Sequence, residues 1–434
     1  MKNRIIPEGY LFTRSYTNYI FVLLFLLYMF DYVDRMVITS LFPFLKSDWG
    51  LTDTQCGMLV SAVYWSIVLF TFPVSILVDR WSRRKTIGLM AVVWSMATGL
   101  GAFSAHFRHL FYARCVIGVG EAGYAPGGSA MISALYPVEK RSWMMGLWNA
   151  SIPLGSAIGV AVGGIIATHW GWRHALGIVA IPGLMIAIMF FFIKDYKTIK
   201  LTREEEVFDK AAERRKVKMS VRDLFLEFIR KPSLIFTYFG MAGVVFTTTS
   251  LLTWLPTYFH RVQNIPEDKA GLMSSAVLLV AIIGAPLGGY ITDRWRKNRI
   301  NARLLLPTLT TLLSAMLMFL AFSVFSGQIQ YLILLSVGIS ITAFVSAAAA
   351  VTQDVVHAGL RAISYAIAVV VQNLLGASMG PIVMGAISDS SNIQTAFTVL
   401  PIALIIASAL FFAGSFYYEK DLRKVKAVKL EAID

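Results

Sequence analysis

The chain has 434 residues, of which 57% are hydrophobic and only 15% are charged, whereas about a quarter of a soluble domain is charged. Apolar runs of about 18 residues or more recur along the whole length, which excludes a soluble globular protein and predicts a polytopic membrane protein. The formal net charge of +14 comes without a base-stacking motif, so we expect no binding to nucleic acid.

The apolar runs predict an all-α integral membrane protein with twelve transmembrane helices, which we call spans 1 to 12. A long charged segment at 194–232 separates six spans from six. We therefore predict an N-terminal six-helix bundle (1–193), a linker (194–232), a C-terminal six-helix bundle (233–418) and a tail (419–434). The spans are predicted at 18–42, 55–78, 86–105, 109–135, 143–168, 174–193, 234–258, 271–292, 304–325, 328–352, 362–387 and 395–417.

The distribution of positive charge predicts the orientation of these spans. If both termini and the linker are cytoplasmic, only five of the 39 Lys and Arg residues fall in the opposite loops: Lys46, Arg108, Arg173, Arg261 and Lys269. This asymmetry follows the rule that basic residues concentrate on the inside. We expect a multi-pass protein of the inner cell membrane that retains its first span, because the basic start lacks a signal-peptide cleavage site.

Span 1 carries the sequence FDYVDRM, which places Asp31, Asp34 and Arg35 within an otherwise apolar helix. A lone charge at the centre of a bilayer costs about 3 kcal/mol or more, so these groups require partners or a wet cavity. Asp31 and Arg35 are four residues apart and can pair along the helix. All three side chains can point the same way.

Span 4 offers further charged groups in the sequence RCVIGVGEAGYAP. Arg114 and Glu121 are seven residues apart and share one helix face. Gly118 lies between them on that face and leaves room for a neighbouring helix, a water molecule or a substrate group.

The two halves of the chain repeat a motif. Span 2 ends in SILVDRWSRRK and span 8 in GGYITDRWRKNR, which places Asp79 and Asp293 equivalently. Internal repeats of six helices are typical of transporters that bind substrate between the halves at mid-membrane. A carboxylate at such a helix end can cap a helix N-terminus of the other half. We predict that Asp79, Arg80 and Arg83, with Asp293 and Arg294, form a gate that closes the cytoplasmic side.

The span 2 motif resembles the G-x-L-x-D-R-x-G-R-K signature of the major facilitator superfamily, although Ser75 and Ser82 replace its glycines. Within that superfamily the stretches YVDRMVI, GLTDTQCGML, ARCVIGVGEAGYAP and SIPLGSAIG are similar to bacterial spinster-like transporters. The anion:cation symporters, which share the charges of spans 1 and 4, are the alternative. The resemblance implies two pseudo-symmetric bundles, with spans 1 and 4 packed beside the cavity. It also implies export of lysolipids, sphingolipids or other amphipathic anions, in some members with proton coupling.

On this basis we predict Glu121 as the first candidate for the coupling proton and Asp34 as the second. Arg114 would hold an anionic headgroup or neutralise Glu121, and Arg35 and Asp31 would contribute to the same site. A purely architectural salt-bridge network remains the alternative interpretation of this cluster. Large or polar residues within spans are candidates to line the cavity, although aromatic ones also act as interface anchors: Tyr64, Trp148, Asn149, Trp254, Gln372 and Asn373.

The predicted function is secondary active transport of an amphipathic or organic anion by alternating access, coupled to protons. A sugar-acid:proton symporter and an uncoupled facilitator are the alternatives. No nucleotide-binding or zinc-protease motif is present, so we expect neither an enzyme nor an ATP-driven pump, and no cofactor or metal. The expected partners are the small-molecule substrate, protons and membrane lipids, and we expect a monomer.

Overall fold

The computed structural model describes residues 10–80, 82–194, 228–357 and 360–425. Most of the predicted linker (195–227) and the end of the predicted tail (426–434) lie outside these residues. The regular structure of the described residues is entirely helical. We number the helices α1 (Arg14–Ser40), α2 (Phe42–Trp49), α3 (Asp53–Arg80), α4 (Arg83–Gly101), α5 (Phe107–Glu121), α6 (Tyr124–Leu135), α7 (Val138–Asn149), α8 (Ser151–Trp170), α9 (Trp172–Phe191), α10 (Pro232–Gln263), α11 (Glu267–Arg296), α12 (Ala302–Ser323), α13 (Gly327–Thr342), α14 (Val345–Asp354), α15 (Arg361–Val371), α16 (Met379–Ser390), α17 (Ile393–Val399) and α18 (Pro401–Arg423).

Each predicted span coincides with one helix or with two consecutive helices. Span 4 breaks directly after Glu121, where α5 ends and α6 begins at Tyr124, and span 10 breaks between α13 and α14. Span 11 contains a π-helical segment, Gln372–Ala377, between α15 and α16. Such segments often occur at functional sites, because they shift side chains relative to a regular α-helix.

Nine helical segments of the described residues are long and apolar enough to cross a membrane. The predicted spans that do not meet this criterion are α1, α4 and the α5–α6 pair. Helix α1 and the α5–α6 pair carry the charges of spans 1 and 4, and α4 begins with basic residues. Charge therefore weakens the hydropathy signal where the candidate site is located.

Small residues allow α8 to cross α1 closely. A Cβ atom added to Gly155 would lie 2.1 Å from the Met29 carbonyl oxygen, and one added to Gly159 would lie 2.6 Å from that of Val33. Glycines at this spacing let two helix backbones approach within van der Waals contact.

The second half repeats this crossing between span 11 and α10. An added Cβ at Gly376 would lie 2.7 Å from the Ala242 carbonyl oxygen, and one at Gly380 would lie 2.5 Å from that of Phe246. The four-residue step between the glycines matches a four-residue step along the partner helix in both halves. The crossings therefore align α1 with α10 position by position.

The two halves meet at one end of the bundle, where α3 packs against α16, α8 against α11 and α1 against α10. We call it the closed end; it carries residues 42–53 and 388–393. Ser275 donates a hydrogen bond to the Ala157 carbonyl oxygen at 2.7 Å, and the rings of Phe42 and Trp254 lie 5.1 Å apart. The opposite end, which carries residues 10–14 and 293–299, we call the open end; there Phe72 of α3 is exposed.

Candidate functional site

Arg35 lies between two carboxylates at the middle of the first half. Its Nη2 is 3.0 Å from Asp31 Oδ2, one turn earlier on α1, and its Nε is 2.8 Å from Glu121 Oε2, where span 4 breaks. Both carboxylate side chains are fully buried, and 10% of the Arg35 side chain is exposed. The guanidinium carbon lies 4.6 Å from the centre of the Tyr32 ring and 5.9 Å from that of Tyr64. The pair expected from the four-residue spacing is present, and Glu121 completes a triad with it.

Arg114 has a different role from the one expected. Its Nε donates to the Leu59 carbonyl oxygen at 3.0 Å, and its Nη1 and Nη2 donate to those of Asp34 and Arg35 at 2.9 and 3.1 Å. All three guanidinium nitrogens therefore bind backbone of α1 and α3, and the side chain is buried. In this conformation Arg114 joins helices together, and Arg35 is the arginine that pairs with Glu121.

Asp34 faces away from the triad. It is fully buried, it forms no salt bridge among the described residues, and the Thr98 side chain of α4 lies beside its carboxylate. A Cβ added to Gly183 of α9 would lie 3.9 Å from Asp34 Oδ2 and 2.7 Å from the hydroxyl of Ser95 in α4. The expectation that all three charges of span 1 point the same way is therefore wrong. Since a buried carboxylate without a salt bridge is costly, Asp34 remains a candidate for proton binding.

The second half has no counterpart of these charges. Gly118 lies against the Val63 carbonyl oxygen of α3, and Gly338 lies in the same way against that of Val277 in α11, which aligns α5 with α13. These two alignments, of α1 with α10 and of α5 with α13, assign to each charged residue of the first half its equivalent in the second half. Asp31, Asp34, Arg35, Arg114 and Glu121 correspond to Val244, Thr247, Thr248, Leu334 and Ile341. The same helix packing thus forms without the charges, which argues against a purely architectural role for them.

The structure separates the six candidate cavity residues into four groups, the fourth being the two tryptophans. Tyr64 lies beside the triad. Gln372 and Asn373 are half-buried within the π-helical segment, where the Gln372 side chain donates to the Ala368 carbonyl oxygen at 3.0 Å. Asn149 is exposed near the break between α7 and α8.

The two tryptophan candidates are buried in this conformation. Trp148 stacks on Tyr28 of α1 with ring centres 4.4 Å apart, and its indole donates to the Leu24 carbonyl oxygen at 3.3 Å. Trp254 donates to the Pro381 carbonyl oxygen at 3.0 Å, across the first turns of α16. Trp254 therefore belongs to the packing of the closed end and lines no open space here.

The predicted gate falls at the open end. The side chains of Asp79, Arg80 and Arg83 lie outside the described residues. Asp293 and Arg294 are exposed, and Arg294 is hydrogen-bonded to Tyr290 of its own helix at 3.2 Å. The structure thus leaves the gating role of these five residues as a prediction.

An ion-pair cluster at the closed end was missed by the sequence analysis. Asp53, at the start of α3, pairs with Lys46 of its own half at 2.6 Å. From the other half, Arg261 contacts both Asp53 oxygens at 2.7 and 2.9 Å, and the Ser388 hydroxyl donates to one of them at 2.6 Å. Asp53 is buried, so this cluster ties α3 to α10 and α16.

Asp389 adds a second contact between the halves. Its carboxylate accepts hydrogen bonds from the backbone N–H groups of Asp53 and Thr54 at 2.7 and 2.8 Å. It therefore caps the first turn of α3, where a negative charge is favourable. Thr52 and Gln55 complete this helix start with reciprocal hydrogen bonds at 3.0 and 3.1 Å, as in a capping box. The TDTQ sequence could have predicted that capping box, but nothing local identifies Asp389 as the partner.

The charges of the closed end surround an open pocket of about 660 Å³. Lys46 and Arg261 contribute two cations to its lining, and Asp53 and Asp389 contribute two carboxylates. The charges that line the pocket therefore balance. The pocket lies at the closed end, on the side of the molecule opposite to the open end.

Comparison with known proteins agrees with this architecture. The family model of the Major Facilitator Superfamily matches residues 24–380. Protein spinster homolog 1 of Xenopus laevis is 24% identical over 94% of this chain and 82% of its own length. The hexuronate transporter of Bacillus subtilis (strain 168) is 24% identical over 63% of this chain and 64% of its own length. A bacterial homolog of the human lysosomal transporter Spinster, solved in an inward-facing and occupied conformation, superposes with a TM-score of 0.82 at 21% identity, over 94% of this chain and 99% of that one.

Proposed function

The chain belongs to the Major Facilitator Superfamily, and from this premise we propose that it moves an amphipathic or organic anion by alternating access, coupled to protons. The predicted all-α fold and the spinster-like resemblance are confirmed, and the chain is an integral membrane transporter and not an enzyme. The substrate, the coupling and the orientation in the inner membrane belong to the proposal.

The arrangement of Arg35 between Asp31 and Glu121 carries the proposal. Arg35 is the one arginine of the cluster whose nitrogens bind side-chain carboxylates, since Arg114 is occupied by backbone carbonyls. A guanidinium binds a carboxylate or a phosphate in the same planar geometry. A substrate anion can therefore replace Glu121 at the Nε of Arg35 without changing the chemistry of the contact.

The charge balance of the cluster supports the proposed proton coupling. When all three carboxylates are ionised, Asp31, Asp34 and Glu121 carry three negative charges, and Arg35 and Arg114 carry two positive charges. When Glu121 takes up a proton, it loses its attraction to Arg35 and the cluster becomes neutral. An anion then restores the partner of Arg35. Proton and anion thus bind together, which favours transport of both in the same direction.

The closed end supports alternating access. The Asp53–Arg261 pair and the Asp389 cap connect the halves at that end. Gly57 also lets α3 lie against the Pro381 carbonyl oxygen of α16, and Gly164 lets α8 lie against the Glu267 carbonyl oxygen of α11. With both termini cytoplasmic, as the basic residues predict, this is an inward-facing state. In the outward-facing state the Asp79 and Asp293 motifs would meet instead. The basic residues at the open end agree with a protein of the inner membrane whose two termini are cytoplasmic.

Transport in proteoliposomes tests the proposal. We would measure uptake driven by an imposed pH gradient, and exchange without a gradient, with lysophosphatidylglycerol and glucuronate as representatives of the two substrate classes. Glu121→Gln should lose accumulation and retain exchange, because the amide cannot release a proton. Asp48→Asn, which removes an exposed carboxylate paired with Arg173 at 3.4 Å, is the matched control and should behave as wild type. Unchanged accumulation in Glu121→Gln refutes the coupling role.

A sugar-acid:proton symporter is the second candidate. The hexuronate transporter of Bacillus subtilis favours it, since a hexuronate carries the single carboxylate that Arg35 would bind. The discriminating result is uptake of glucuronate without uptake of lysophosphatidylglycerol. An uncoupled facilitator would show uptake of either substrate with no response to the pH gradient.

A further inference from the structure

A second pocket lies at the open end, apart from the Arg35 triad. It has a volume of about 420 Å³ and lies between the start of α1, the end of α6 and the start of α7. Tyr136, which follows α6, holds these elements together: its hydroxyl donates to the Asn18 side chain at 2.9 Å and its ring contacts that of Tyr10 at 5.8 Å.

Two cations of this pocket share one aromatic ring. The guanidinium carbon of Arg14 lies 5.5 Å from the centre of the Tyr10 ring, and the Lys140 ammonium lies 5.7 Å from the same centre. Neither cation forms a salt bridge with a carboxylate of the described residues, and the described residues that line the pocket include no acid. A ring face attracts a cation without neutralising it, so within the part of the chain that the structure describes these two positive charges lie close together without a counter-ion.

Helix ends add to this positive potential. Arg14 is the first residue of α1, and Lys140 is the third residue of α7, so the N-termini of two helices adjoin the pocket. Each N-terminus carries a partial positive charge that favours an anion. Both arginine and lysine also bind phosphate oxygens well.

The position of Trp143 indicates where the anion comes from. Trp143 also lines the pocket, three residues after Lys140, and 74% of its surface is exposed. Tryptophan side chains concentrate at the level of lipid headgroups. We propose that this pocket binds a phosphate ester anion, and that its occupant is the headgroup of an anionic phospholipid in the leaflet at the open end. A free organic phosphate has the same chemistry and is distinguished by the test below.

Native mass spectrometry of the full-length protein in detergent tests this proposal. The probes are phosphatidylglycerol, phosphatidylcholine and glycerol 1-phosphate. Lys140→Gln and Arg14→Gln should each reduce retention of phosphatidylglycerol about fivefold, since one basic residue near an anionic headgroup contributes about that factor. Lys140→Arg should retain the lipid. Arg294→Gln, which removes an exposed arginine of the other half at the same end, is the control and should retain it as well.

The outcomes are distinct. Equal retention of phosphatidylglycerol by the wild type and both glutamine variants overturns the proposal, as does equal retention of phosphatidylcholine and phosphatidylglycerol by the wild type. Displacement of phosphatidylglycerol by glycerol 1-phosphate at similar concentration supports the site and assigns it to free phosphates. If Lys140→Gln does not fold, loss of lipid in Arg14→Gln together with retention in Lys140→Arg decides the question.

Discussion

Replacing Arg261 with glutamine should open the closed end of the molecule. Arg261 contacts both oxygens of Asp53 across the two halves, with 28% of the arginine side chain and 3% of the aspartate side chain exposed. In a state in which the halves separate at this end, both groups are hydrated. The ion pair therefore stabilises only the state described here, and its loss shifts the equilibrium toward the opposite state.

The size of this shift follows from the partial burial of the pair. Exposed ion pairs contribute about 0.2–1 kcal/mol, and breaking a fully buried pair costs about 3–5 kcal/mol. The bidentate Asp53–Arg261 pair lies between these limits, and Lys46 remains to compensate Asp53, so we expect about 2 kcal/mol. Since each 1.4 kcal/mol is about tenfold in an equilibrium constant, the fraction of open molecules should rise about 30-fold.

A native cysteine reports this opening. Cys56 is fully buried one turn after Asp53, and the charges of Asp53, Lys46 and Arg261 all act on its thiol. With Cys115 replaced by alanine, the rate of maleimide labelling of Cys56 measures the fraction of open molecules. Arg261→Gln should accelerate labelling about 30-fold.

The matched control for this experiment is Arg173→Gln. Arg173 lies at the same end and pairs at 3.4 Å with Asp48, a residue of its own half, so its loss should leave the labelling rate unchanged. Equal labelling rates in Arg261→Gln and Arg173→Gln would refute the role of the Asp53–Arg261 pair in holding the closed end together.

Three further substitutions test the packing. Gly159→Val should lower the melting temperature, because its Cβ atom would lie 2.6 Å from a carbonyl oxygen of α1 and overpacking costs about 1–3 kcal/mol. In the control Gly146→Ala the new Cβ atom meets no atom within 4 Å, so the melting temperature should not change. Arg114→Lys should lower the melting temperature as well, since lysine cannot reach all three carbonyl oxygens; an unchanged value would contradict the helix-joining role. Trp254→Phe removes the hydrogen bond to Pro381, which joins two helices of the same half and is worth about 1 kcal/mol, so it should lower the melting temperature and leave the labelling rate of Cys56 unchanged. Faster labelling would mean that this bond also holds the two halves together.

The order and position of the spans could be predicted from the sequence, because a bilayer imposes a length and a hydropathy on each helix. The repeat could be predicted as well. Asp79 and Asp293 occupy equivalent motifs. Gly57 and Gly271 precede these two aspartates by the same number of residues, and each glycine lies against the other half. The pairing of Asp31 with Arg35 is a local consequence of helix geometry.

The partners of the remaining charges could not be predicted, because they depend on contacts between distant segments. Glu121 was expected to interact with Arg114 of its own helix, yet the break of span 4 directs it to Arg35. Asp389 caps a helix that begins 336 residues earlier in the chain. Neither pairing has a periodic signal, since each arises only when separate helices pack together.

Proton uptake on substrate binding tests the central claim most directly. The claim is that an anion takes the place of a protonated Glu121 at Arg35. Purified protein in weakly buffered detergent solution would be titrated with the substrate that proteoliposome uptake identifies, while the pH is recorded. The wild type should take up about one proton for each anion bound, and Glu121→Gln should bind the anion with no uptake. Binding by the wild type with no change in pH, or equal proton uptake by both proteins, would contradict the account.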